Sequence, residues 1–144
     1  MPNSDVSNAL VIAESPPTVM TVLVVSPSHA DHVVLERMFD PQWSLHKALT
    51  LSAGLTALRD KRIALVLCES ELHPGTWLDM LKKLELSPGS PYLIVTSRLA
   101  DEHLWAEVLD RGAYDVLAKP FDAEEVGRII GHALHRRQSR PELN

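Results

Sequence analysis

Three residues that end short apolar runs carry complementary chemistry: Glu69 an acid, Thr96 a hydroxyl and Lys119 an ammonium group. If the runs are strands of one sheet, their tips converge and these side chains line a pocket of the kind that handles a phosphate group. A fourth run, Val22 to Val25, leads into Ser26-Pro27, where a pocket built around a divalent metal would present carboxylates. Neither residue has one. The pattern predicts a pocket that is present while its phosphate chemistry is disabled. Lys119-Pro120 alone would also suit an ordinary strand exit, and Glu69 alone an acid facing solvent, so the argument rests on the set.

The elements that must position these residues follow from periodicity. Val22 to Val25, Ile63 to Cys68, Tyr92 to Thr96 and Val116 to Ala118 are too short and too uniformly apolar for surface helices, and read as interior strands of a parallel sheet. Trp43 to Ala48 alternates apolar with polar residues, as a half-exposed edge strand does. Between the strands lie stretches with helical spacing and end signals. Ser28 is placed to cap a helix with Val34, Leu35, Met38 and Phe39 on one face, and Thr76 with Asp79 opens another carrying Trp77, Leu81 and Leu84. Asp101 precedes Leu104, Trp105, Val108 and Leu109, a core-facing stripe that stops at Gly112. Asp122 with Glu125 opens the last helix, ahead of Val126, Ile129, Ile130, Ala133 and Leu134. Ser52 to Arg59 is a shorter helical stretch weakened by Gly54. Five strand-helix units with right-handed crossovers give an α/β fold: a five-stranded parallel sheet, doubly wound and flavodoxin-like, with helices on both faces.

Composition narrows the function. With 144 residues and 45% hydrophobic content, one globular domain over residues 20–137 is expected, with an extension at 1–19 and a tail at 138–144. The formal net charge of -5 repels nucleic-acid phosphates, and no Lys/Arg block is longer than a short pair such as Arg136-Arg137. The lone cysteine, Cys68, has no internal disulfide partner and fits a reducing cytoplasm. Asp5 stands where a signal peptide wants positive charge, and the apolar stretch Ala9 to Ala13 is far short of the roughly 20 residues that cross a bilayer. Neither a membrane nor a nucleic acid is an expected partner.

Residues 20 to 137 resemble the receiver domain of two-component response regulators. The resemblance is carried by Val-Leu-Val-Val at the first strand, Leu-Val-Leu-Cys-Glu at the third, Ile-Val-Thr-Ser at the fourth, and Arg-Gly-Ala followed by Lys-Pro-Phe at the fifth. It implies that Ser26 and Pro27 stand at the two acidic positions that hold Mg²⁺ in the family, and that Glu69 stands at the phosphorylated aspartate. Thr96 and Lys119 match the hydroxyl and lysine that engage the phosphoryl group, and Pro120 the proline that follows a cis bond. Val116 falls at the aromatic position whose rotation reports activation, with Tyr114 a neighbouring candidate. The proline that follows the acceptor is displaced by one place, His73 standing where it is usual and Pro74 next.

These departures belong together. A receiver pocket concentrates three carboxylates that stay ionised because a divalent cation and a lysine neutralise them. Here the acids fall to one, so Mg²⁺ binding is expected to be weak or absent, no cofactor is expected, and Glu69 is expected to pair with Lys119. The longer glutamate also pushes its charge toward the phosphoryl position, an imperfect imitation of the active state. The reading is a stand-alone, degenerate receiver that is not an enzyme and works by contact with a histidine kinase, phosphotransfer protein or target regulator.

By resemblance, the face of the fourth helix, fifth strand and fifth helix supplies the contacts: Glu102, Trp105, Glu107, Arg111, Asp122, Glu125 and Arg128. A homodimer through this face, with opposite charges crossing a twofold, is a further expectation. The pairs His29/His32 and His132/His135 share helix faces but lack a third ligand, and read as surface histidines. The rival reading is a flavodoxin-like nucleotide or small-molecule binder, for which Ser26-Pro27-Ser28-His29 lacks the glycine-rich loop.

Overall fold

The computed structural model describes residues 19–139. The expected extension falls outside the described residues except for Val19, as does the tail from 140 onward. The chain alternates β1 (Met20–Val25), α1 (His29–Met38), β2 (Trp43–Ala48), α2 (Leu51–Asp60), β3 (Leu65–Glu69), α3 (Trp77–Glu85), β4 (Tyr92–Ser97), α4 (Glu102–Asp110), β5 (Asp115–Ala118) and α5 (Ala123–Ser139). The sheet order is β2-β1-β3-β4-β5, and every pairing is parallel.

Alternation along the strands explains the two layers. Leu23, Val25, Val66, Cys68, Val95 and Val116 point to one face, where they meet Ala57 of α2, Trp77 and Met80 of α3, and Val108 of α4. Val22, Val24, Leu65, Leu67, Ile94 and Leu117 point to the other, against Leu35 of α1 and the apolar stripe of α5. Register then levels the strand tips. Glu69 pairs with Thr96, and Lys119 N donates to Ser97 O at 3.0 Å.

Local signals account for the helix ends. Thr76 and Asp79 form a reciprocal capping box, and Asp101 accepts from Leu104 N at 2.9 Å. Asp122 accepts from Glu125 N at 2.9 Å, and Gly112 has the positive φ, 98°, that a stop after α4 requires. Gly54 has a packing reason. A Cβ there would lie 2.8 Å from Val25 Cγ2, so the glycine that weakens α2 as a helix lets it approach β1.

Three helical expectations are corrected. The buried residues of α1 are Asp31, His32 and Leu35, while Val34 is exposed: the face toward the sheet runs through positions i and i+4, and Val34 lies to its side. Ser28 sits at the N-cap with extended backbone, but its side chain makes no capping bond. In α4 only Val108 is buried. Trp105 is 50% exposed and Leu109 43%, because the helix meets the sheet along a narrow line that the broad apolar stripe overruns. Among the described residues no helix is long and apolar enough to cross a membrane.

Candidate functional site at the strand tips

Four strand ends and the first turn of α1 converge on one ammonium group. Lys119 follows β5, and its Nζ is ion-paired with both Glu69 Oε1 at the end of β3 and Asp31 Oδ2 of α1. The side chains of Lys119, Asp31 and Glu69 are 8%, 9% and 14% exposed, so the charges are largely withdrawn from water and answer to each other. Ser26 donates from Oγ to Asp31 Oδ2 at 2.7 Å, and Ser28 N–H donates to Ser26 Oγ at 3.1 Å. Thr96 Oγ1 lies 3.5 Å from Glu69 Oε1, a long contact. Ser70 Oγ donates to Glu69 Oε2 at 3.1 Å and sits 3.0 Å from Ser97 Oγ, which accepts from Leu99 N–H. The Lys119–Pro120 bond is cis, as is His73–Pro74.

The structure thus brings Ser26, Glu69, Thr96 and Lys119 together and adds Asp31, Ser70 and Ser97. The expectation that a single acid remains is corrected: Asp31, five residues beyond Ser26, supplies a second carboxylate from a helix instead of a loop. Ser26 serves that carboxylate through its hydroxyl. His32 is also corrected, being buried and not on the surface. Its Nε2 contacts Ser26 O at 3.0 Å, which makes Nε2 the protonated nitrogen, while buried Nδ1 has no hydrogen-bond partner. Burial holds its pKa below the usual 6.5, against the opposing pull of the Ser26 carbonyl.

The other named residues lie apart from this cluster. Val116 is buried on the α4 side of β5, and Tyr114 stacks on Tyr92 with centroids 5.1 Å apart. Glu102, Trp105, Glu107 and Arg111 lie on or just after α4, and Asp122, Glu125 and Arg128 at or within the start of α5; none is buried. Trp105 Nε1 donates to Asp115 Oδ1 at 3.1 Å. His73 is exposed in the loop after β3.

A divalent ion does not fit this donor set. Mg²⁺ asks for octahedral oxygen ligands and gains from an uncommitted cluster of carboxylates. Here the two carboxylates converge on an ammonium group that already occupies the cationic position between them. Pro27 offers no side-chain oxygen, and Ser26 Oγ is committed to Asp31. Among the described residues there is no group of three or more His, Cys, Asp or Glu placed to hold a metal.

Known proteins share this architecture. The chain is 31% identical over 126 residues to the transcriptional regulatory protein ZraR of Salmonella typhimurium, a match that covers 85% of this chain and 28% of that protein. Among solved structures, the signal receiver domain of an HD domain-containing protein from Pseudomonas fluorescens Pf-5 superposes with a TM-score of 0.75 at 23% identity, over 84% of this chain and 98% of that one. The fold is that of a response-regulator receiver domain. A CheY-like receiver domain from Methanospirillum hungatei JF-1 agrees, with a TM-score of 0.74 at 19% identity over 85% of this chain and 98% of that one. No protein-family model matches the chain. The chain thus spans little more than a quarter of the length of that regulatory protein.

Proposed function

We propose that this receiver takes part in two-component signalling through protein contacts, with a strand-tip site that does not accept a phosphoryl group. The observation that carries the reading is the ion-paired ammonium of Lys119, held by Asp31 and Glu69 together. Phosphoryl transfer to a carboxylate needs a free nucleophilic oxygen and a cation to gather charge on the incoming phosphate. Glu69 Oε1 is engaged by Lys119 and Oε2 by Ser70, and the Lys119 ammonium is already shared between two acids. Glu69 therefore acts as a fixed charge that positions Lys119 and the tips of β3 and β4.

The natural partners for such a module are a histidine kinase, a phosphotransfer protein or a target regulator, reached through surface contacts. A nucleotide or flavin binder is not favoured. The turn after β1 is closed on itself by the Ser28 N–H to Ser26 Oγ bond and offers no glycine cradle for a phosphate. The test is incubation with a small acyl phosphate donor and Mg²⁺, followed by intact-protein mass spectrometry. No phosphoryl adduct is expected, and an adduct located on Glu69 would overturn the reading.

A further inference from the structure

We infer that the cleft between the C-terminal halves of α2 and α3, at the end of the sheet away from the strand tips, binds a small amphipathic carboxylate. Each helix returns the chain from the tips, so the last turns of both lie near the start of β4. The two helices close on each other at Gly54, where a Cβ would lie 3.2 Å from Met80 Cε, and part further along. A cavity of about 500 Å³ opens there, within the roughly 300–1,000 Å³ of small-molecule sites. Leu55 and Leu58 of α2 and Leu84 of α3 line it, with Ser87 and Ser90 of the turn that follows α3. That turn is held from two sides: Ser90 Oγ donates to Leu84 O, and Arg137 Nη1 of α5 donates to Ser90 O, each at 2.7 Å. The wall is therefore fixed before any ligand arrives. The site shares no residue with the strand tips, and the inference stands apart from how they act.

Charge sets the chemistry of the ligand. Residues 59–62 and 82–85 hold five of the chain's 14 Lys and Arg but only two of its 19 acids, a net of +3 in a chain whose formal charge is -5. Cations in the last turn of a helix answer its dipole. Arg59 and Lys83 do more, since both line the cavity, whereas the acids Asp60 and Glu85 do not. Arg59 meets Asp60 at 3.5 Å with the two side chains 73% and 59% exposed, a pair too well solvated to withhold the guanidinium. Lys83 has no ion pair among the described residues. A compact, hydrated anion gains nothing from the leucines, and a neutral aliphatic molecule gains nothing from the cations. A short aliphatic chain that ends in a carboxylate uses both.

The test uses decanoate, held below its micelle concentration, with 1-decanol and acetate as counterparts, in titration calorimetry and in NMR of the backbone amides. Decanoate should bind at least about tenfold more tightly than either counterpart, lose affinity as salt rises, and shift amides within residues 55–59 and 83–90. Arg59→Ala and Lys83→Ala should each weaken it by about fivefold, and Ser87→Trp, which sets an indole in the cavity mouth, by about tenfold or more, with the circular dichroism of each variant unchanged. Arg98→Ala removes an exposed cation after β4, at the other end of the sheet, and should stay within about twofold of the parent protein. No binding of decanoate, equal binding of decanol, or an equal loss in Arg98→Ala would overturn the inference. So would a dimer in sedimentation equilibrium that Ser87→Trp abolishes, because the occupant would then be a second copy.

Discussion

The strand tips and the α4–β5–α5 face are built on opposite terms. At the tips, two carboxylates, an ammonium group and two hydroxyls use up one another's bonding capacity in a site largely withdrawn from water. On the face, the indole of Trp105 stands half-exposed beside a cavity that Asp115, Glu125 and Arg128 also line. The first region is closed by its own contacts; the second leaves large apolar side chains in contact with water. Within one fold, the strand tips are fastened by charge pairing, while the helical face keeps apolar surface in water.

The sharpest way to break this contrast is to remove the clasp's cation. Lys119→Met leaves two buried carboxylates facing each other, and urea unfolding should show a loss of about 3–5 kcal/mol. Asp31→Asn tests the same site from the other side. It leaves a balanced Glu69–Lys119 pair and relieves the excess negative charge, so its cost should stay within about 1–2 kcal/mol. A larger loss for Asp31→Asn than for Lys119→Met would refute the view that the ammonium is the keystone. On the open face, Trp105→Ala should cost about 1–2 kcal/mol, since only half of the indole leaves water on folding. The smallest effect concerns His32. Its pKa is lowered in the fold, so the unfolded chain binds the extra proton first and stability drains as pH falls through 6.5 toward the lower folded value. Asp31 favours that proton, whereas Lys47 and His29 oppose it. His32→Gln should flatten the acid limb of the unfolding midpoint against pH.

Much of the fold was legible because its signals are local. The alternation of Trp43 to Ala48 fixed β2 to the residue, and Thr76 with Asp79 marked the start of α3 through a bond pattern that needs no tertiary context. Ends set by tertiary pairing were less sharp: β3 was read as starting at Ile63, whereas ladder pairing begins at Leu65 and reaches Glu69. The site was legible only in part. Glu69, Thr96 and Lys119 end strands and announce themselves, but Asp31 looks like an ordinary acid in the first turn of a helix. Its signal was its place one helical turn before buried Leu35, which puts it on the face that meets the sheet. Trp105 failed in the opposite direction. A stripe of Leu104, Trp105, Val108 and Leu109 reads as core, and nothing within α4 reveals how narrow its seat on β5 is.

Cys68 gives the clasp a built-in clock. It lies on β3 directly before Glu69, fully buried, with its thiol pushed up to about 12 by desolvation and the neighbouring negative charge. Only a thiolate attacks an alkylating reagent, so the native protein should resist iodoacetamide, and each labelling event should record a molecule whose sheet has opened. The rate of that labelling would read out how tightly the ends of β3 and β5 are fastened, without any added probe.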